Sequence, residues 1–167
     1  EGVLQNEKIK KFYKKELKNI IKYKTKIKNS KKLSKEFDLV IDCTNNTLKN
    51  YFSKKINYVL TISFIFKSKY SKDLPSLTVM DGNLPSLYKY SDNKNYYTLT
   101  HSNYTHIKKF KSFQQLEKYK KIIKLKKINY FRDNSIKSIS LYYKNFKKNF
   151  LYKGYFFSYK ILPNDQS

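Results

Sequence analysis

Tyr58-Val59-Leu60-Thr61-Ile62-Ser63-Phe64-Ile65-Phe66-Lys67 decides the fold class. Tyr58, Leu60, Ile62, Phe64 and Phe66 fall on one side of a two-residue period, and Val59, Thr61, Ser63, Ile65 and Lys67 on the other. A strand with one more apolar face belongs in an antiparallel or mixed sheet. Downstream, bends at Pro75 and Pro85 bracket Leu77-Thr78-Val79-Met80-Asp81-Gly82, and Ser86 to Tyr90 and Tyr96 to His101 read as short strands. Asp81-Gly82 and Ser91 to Asn95 carry turn chemistry, so a meander or adjacent hairpins are expected. Helical spacing appears at Phe113, Leu116, Tyr119, Ile122 and Ile123, and again at Ile136, Ile139, Tyr143, Phe146 and Phe150. Alternation then returns from Tyr152 to Leu162, a last strand before Pro163.

Upstream, Ile9, Phe12, Tyr13, Leu17, Ile20 and Ile21 recur at three- and four-residue steps, predicting an amphipathic helix from Glu7 to Lys24 with Asn6 as a cap. Lys26 to Lys35 is polar, with room for a short extended piece around Ile27. Phe37-Asp38-Leu39-Val40-Ile41-Asp42-Cys43-Thr44-Asn45-Asn46 reads as a buried parallel strand running into a small polar turn, and Thr47 to Ser53 as one or two helical turns. In open α/β sheets ligands gather beyond the carboxyl ends of the strands, which directs attention to Cys43 through Asn46. The order of elements predicts an α+β (mixed α/β) domain with a mixed, largely antiparallel sheet and flanking helices.

The 167 residues allow one core of ordinary size. The formal net charge of +25 would ordinarily point to nucleic acid or an anionic surface. Arg132 is the only arginine, alanine and tryptophan are absent, and lysine, asparagine, isoleucine, tyrosine and phenylalanine abound, a pattern of AT-rich coding. Arginine is the bidentate reader of phosphate and guanine, so its near absence weakens the nucleic-acid reading. Lys118, Lys120, Lys121, Lys124, Lys126 and Lys127 form the densest cluster and are read as a solvated helix face. Cys43 is the only cysteine, excluding an internal disulfide and fitting a reducing compartment. No apolar run approaches the roughly 20 residues of a membrane helix, and no secretory signal pattern is present. A cytoplasmic, membrane-free chain is expected. Because it opens at Glu1 without methionine and has no closing element after Asn164, it is also expected to be a piece of something longer.

Tyr88, Tyr97 and Tyr104 could offer hydroxyls and ring faces to a substrate, but tyrosine occurs 17 times and each is first read as filling a sheet face. His101 and His106 would need a helix between them to act as a shuttle or metal pair, whereas their surroundings read as strand and loop; no metal site is expected. Cys43 is read as a buried thiol, and Asp81, before Gly82, as a turn residue. Arg132 is the sole guanidinium able to clamp a carboxylate.

Three segments in order carry a likeness: Asp38 to Thr44; Leu77-Thr78-Val79-Met80-Asp81-Gly82-Asn83-Leu84-Pro85-Ser86-Leu87-Tyr88 with Tyr97-Thr98-Leu99-Thr100-His101; and Tyr152-Lys153-Gly154-Tyr155-Phe156-Phe157-Ser158-Tyr159-Lys160. Together the chain resembles the central, substrate-side portion of D-amino acid oxidase-like FAD-dependent oxidoreductases. The resemblance implies that residues 1–56 belong to a truncated dinucleotide-binding region contributing one strand, that 57–162 form a substrate-domain-like sheet with helices, and that 163–167 are a polar tail. It implies FAD for the intact protein, shaped by Cys43, Thr44 and Asn45, and a small amine or amino-acid-like substrate faced by Tyr88, Tyr97, His101, Tyr104 and Arg132. Asn45 stands where the family has glycine, and Gly2, Gly82 and Gly154 cannot form its Gly-x-Gly-x-x-Gly turn, so this chain alone should neither hold FAD tightly nor be active. The alternative is a non-catalytic basic protein binding nucleic acid through lysines and tyrosines.

Overall fold

A computed structural model describes residues 6–25, 27, 33, 35–41, 56–70, 74–82, 84–90 and 95–163. Helix α1 spans Asn6–Glu16. After it come β1 (Ile56–Ser68), β2 (Leu77–Thr78), β3 (Pro85–Lys89) and β4 (Tyr96–His101). A single helical turn, α2 (Ser102–Thr105), leads into β5 (His106–Phe110). Helices α3 (Phe113–Ile122), α4 (Leu125–Tyr142) and α5 (Phe146–Asn149) and the closing strand β6 (Phe150–Pro163) complete the order. Every strand pairing among the described residues is antiparallel. The α+β class therefore holds, with one antiparallel sheet of six strands among the described residues.

β1 organises this sheet. Its length pairs with β6, from Ile56 opposite Pro163 to Ser68 opposite Phe150. Phe64 to Lys67 also pair with β4, and Tyr58 to Thr61 with β5. A strand has two edges, so β4 and β5 lie end to end along one edge of β1 while β6 occupies the other. α2 is an excursion between two halves of what would otherwise be one strand. β3 continues outward from β4, and the two-residue β2 closes that side.

The alternation of β1 sorts the two faces. Tyr58, Leu60, Ile62, Phe64 and Phe66 are buried beneath the helices, where Leu116 of α3, Ile128, Phe131 and Ile139 of α4 and Phe146 of α5 meet them. Each of these side chains gains about 1.5–3 kcal/mol by leaving water. Rings lock the far end: Phe146 stacks on Phe150 at 4.5 Å and meets Phe66 edge-on at 5.1 Å. α3 is capped by Ser112, whose hydroxyl accepts the Gln115 N–H. α4 has no side-chain cap at its start and is closed by Tyr143, whose N–H bonds the Ile139 carbonyl, while Asn145, left-handed at φ 63°, opens α5. The helix predicted to continue to Phe150 is thus broken into α4 and α5. The lysine cluster from Lys118 to Lys127 is exposed, as expected of a solvated face.

Two expectations need correction. The segment from Phe37, predicted as a buried parallel strand, is irregular through Ile41, with Phe37, Leu39 and Ile41 exposed at 55%, 76% and 76%. An apolar run becomes a strand only when a neighbour completes its hydrogen-bond ladder, and no described strand lies beside it. The continuation, with Asp42, Cys43, Thr44 and Asn45, and the turns predicted over Thr47 to Ser53, fall outside the described residues. Likewise α1 ends at Glu16 instead of Lys24, and Phe12, Tyr13 and Ile20 stay exposed, so no described core rewards extending it.

Candidate functional site

The helices cover one face of the sheet. On the other, β1 presents Thr61 and Ser63 where a second core would need apolar residues. Register aligns small hydroxyl side chains across the strands: Thr78 opposite Ser86, Ser86 opposite Thr100, and Thr61 between His106 and Ser158. They line a trough of about 370 Å³, walled by Val79, Met80 and Leu84 from the β2–β3 connection and by Ser102 and Thr105 of α2, with His106 and Lys160 also on its wall.

The trough is held from beneath. Thr61 is 2% exposed and its hydroxyl is 2.7 Å from that of Ser158. Thr105 Oγ1 accepts the His101 N–H at 2.8 Å, and the Leu84 carbonyl accepts the Ser102 N–H at 3.2 Å, tying α2 to the β3 side. On the opposite rim the Pro85 carbonyl accepts the Val79 N–H at 3.2 Å. His106 keeps much of its surface in solvent, and partial burial of its imidazole followed by repulsion from Lys160 pushes its pKa below the usual histidine value, against a hydrogen bond with the Ser102 backbone. At neutral pH this surface combines a neutral imidazole, an ammonium and several hydroxyls. It can bind an anionic or hydroxyl-bearing group and orient it.

The residues singled out from sequence are distributed differently. His101 reaches the trough wall, but its imidazole bonds run elsewhere: Nδ1 accepts the Asn103 N–H at 3.0 Å and Nε2 lies 3.0 Å from Ser138 Oγ in α4. An Nδ1 that accepts leaves the proton on Nε2, which then donates to Ser138. This pair cannot work as a serine and its general base. Burial also lowers the His101 pKa, keeping the ring neutral. Tyr88 lies on the open face, half exposed, and accepts a 2.6 Å hydrogen bond from Thr78 at the trough. Tyr97 is wholly buried on the helix side, its hydroxyl accepting the Leu74 N–H at 2.7 Å and donating to the Leu74 carbonyl at 3.0 Å. Tyr104 packs on His101 with ring centres 4.6 Å apart. Arg132, in α4, has Nε 2.9 Å from Asp133 and lies 5.0 Å over the Tyr152 ring. Tyr97, Tyr104 and Arg132 therefore sit on the helical side, and only His101 and Tyr88 adjoin the trough.

His101 and His106 are separated by the single turn of α2. His101 bonds to α4, and His106 shares the open face with Thr61, so they do not converge. Among the described residues no group of three His, Cys, Asp or Glu could hold a metal. No helix there is long and apolar enough to cross a membrane. Thr61, Ser63, His106, Ser158 and Lys160 were not distinguished as site residues by sequence. The available signal was the pair of hydroxyls interrupting β1 on its second face. No protein-family model, no curated protein and no solved structure matches this chain.

Proposed function

We propose that this chain forms the substrate-side wall of an FAD-dependent oxidoreductase acting on an amine or amino-acid-like compound, in the cytoplasm. The observation that carries the reading is the trough: one face of the sheet is buried by helices while the other displays hydroxyls, His106 and Lys160 in a shallow concavity, half of an enclosure. A flavin enzyme divides its work in this way, with the cofactor supplying the redox chemistry and the protein wall binding and orienting the substrate. The described residues do not fit the nucleotide part of the cofactor. Gly82 lies in an exposed connection and Gly154 in a bulge of β6, and neither opens a helix that could receive a pyrophosphate. The wall's own tasks are binding through Lys160 and the hydroxyls, orientation, and exclusion of water. Purifying the protein that carries this chain in its natural sequence context tests the reading: a bound flavin with its visible absorption bands is expected, and a colourless protein overturns it.

One feature favours a second reading, a non-catalytic nucleic-acid binder. Tyr90 and Phe156 bring their rings within 6.0 Å of each other, and Lys67 Nζ lies 5.8 Å from the centre of the Tyr96 ring, all on the open face of a chain with net charge +25. Stacking rings beside lysines suit single strands. Binding of a single-stranded oligonucleotide that weakens steeply with salt would favour it over the flavoenzyme reading.

A further inference from the structure

β6 leaves a long edge. β1 saturates one side of it from Phe150 to Pro163, and among the described residues no strand pairs with the other. None of the residues from Leu151 to Leu162 is buried, whereas their β1 partners Val59, Leu60, Thr61, Ile62 and Phe64 are. Edge strands are normally blunted by charged side chains, lysine above all, or by bulges, proline or shortness, and from Tyr155 to Leu162 the one charge is Lys160. Here the bulge lies at one end, beside Gly154, and Pro163 at the other, so the run from Tyr155 to Leu162 presents an even ladder.

A cavity of about 350 Å³ adjoins this run on the helical side, lined by Leu60, Leu116, Glu117 and Lys120 against Phe157 and Tyr159. A strand laid along the outer edge at that register would turn alternate side chains toward it. Main-chain hydrogen bonds supply affinity in such additions and the flanking pocket supplies selectivity. Charge identifies the occupant. Lys153 and Lys160 on the strand are exposed, whereas Lys120 at the cavity is already paired with Glu117 at 3.4 Å, and a second copy of a chain carrying +25 is repelled. Nucleic acid lacks the evenly spaced amides and carbonyls that an edge selects.

We propose that the outer edge of β6 docks an extended acidic segment of a partner protein as an additional strand. The probe is a short fluorescein-labelled peptide of alternating glutamate and valine, titrated against the full chain by anisotropy. A second peptide of the same sequence is N-methylated at every residue, so that charge is kept and both hydrogen-bonding edges are lost. Strand addition predicts at least tenfold weaker binding by the methylated peptide, weaker binding by the Lys160→Glu variant, and slowed amide exchange confined to Tyr155 through Leu162. Equal affinity of the two peptides, absence of binding, or protection located elsewhere overturns the proposal. Sedimentation as a dimer with the β6 amides already protected also overturns it, assigning the edge to a second copy. None of these outcomes depends on flavin binding.

Discussion

His101→Phe offers the sharpest test of how α2 and α4 are joined. The substitution keeps a ring against Tyr104, whose centre lies 4.6 Å from that of the imidazole, while removing both hydrogen bonds. Ser138 Oγ, in a residue only 7% exposed, loses the donor 3.0 Å away, and the Asn103 N–H at the start of α2 loses its acceptor. Leaving buried polar groups unpaired costs about 1–3 kcal/mol, and a lost cap about 1 kcal/mol, so about 2–4 kcal/mol is expected at pH 7.5. The pH dependence gives the reasoning a sign. Burial lowers the His101 pKa in the folded chain relative to the unfolded value near 6.5, so the unfolded chain binds more protons at acid pH. Its stabilisation is present above about pH 6.5 and is lost as pH falls from there through the folded pKa. Wild type should thus weaken on acidification while the variant, lacking the group, weakens less. Urea unfolding from pH 8 to pH 5 should show the difference between them narrowing. A gap below about 0.5 kcal/mol at pH 7.5, the scale of a surface substitution, or one constant with pH, refutes the assigned tautomer and role.

Other expectations rest on single contacts. Tyr97→Phe leaves the Leu74 N–H and carbonyl without their 2.7 and 3.0 Å partner and should cost about 1–3 kcal/mol in urea unfolding, with faster amide exchange at Leu74. Ile139→Ala, at a fully buried position of α4, should lose about 2–5 kcal/mol by the same measurement, and a loss under about 1 kcal/mol would mean that α4 does not seat there. Gly154→Ala meets open space but φ +143°, a conformation that side chains resist, so a loss of about 1–3 kcal/mol is expected from backbone strain alone. His106→Gln should reduce the acid sensitivity of the wild type in urea unfolding between pH 8 and pH 5, because burial and Lys160 lower this pKa too.

Much of the fold can be read locally because its strands carry their own period. β1 buries the alternate residues its pattern marks, β4 has the predicted ends Tyr96 and His101, and Gly82 takes the positive φ that Asp-Gly implied. Where reading failed, partners decided. The Phe37 run has strand chemistry but no described neighbour. α4 begins at Leu125, ahead of the predicted Ile136, because serine interrupts its apolar stripe: Ser135 and Ser138 are buried, one bonding the Phe131 carbonyl at 2.8 Å and the other His101. A periodicity scan counts serine as polar and discards that face. α2 and β5 escaped for a related reason, since His101 to Thr105 is stabilised by bonds to Leu84 and Ser138, remote in sequence.

The trough was harder to foresee than the sheet that bears it. Its residues come from β1, β2, β3, β4, α2, β5 and β6 and the connection after β2, and their common property, small hydroxyls on one face, emerges only when register aligns Thr61 with His106 and Ser158. Tyrosines drew attention because they are chemically conspicuous, yet Tyr97 spends its hydroxyl on Leu74 and its ring on Phe150, 5.6 Å away. In a chain without tryptophan, tyrosine and phenylalanine supply the large rings of a core otherwise built of leucine, isoleucine and valine, and a buried hydroxyl then takes whichever backbone group it can reach. Residues poor in packing value are the better indicators here. Thr61, all but buried in the central strand, contributes less apolar area than the valine or isoleucine that would fit the same backbone, and its hydroxyl binds only that of Ser158 among the bonds described. A polar residue retained at such a position marks the face of the sheet that was not built to be filled by its own helices.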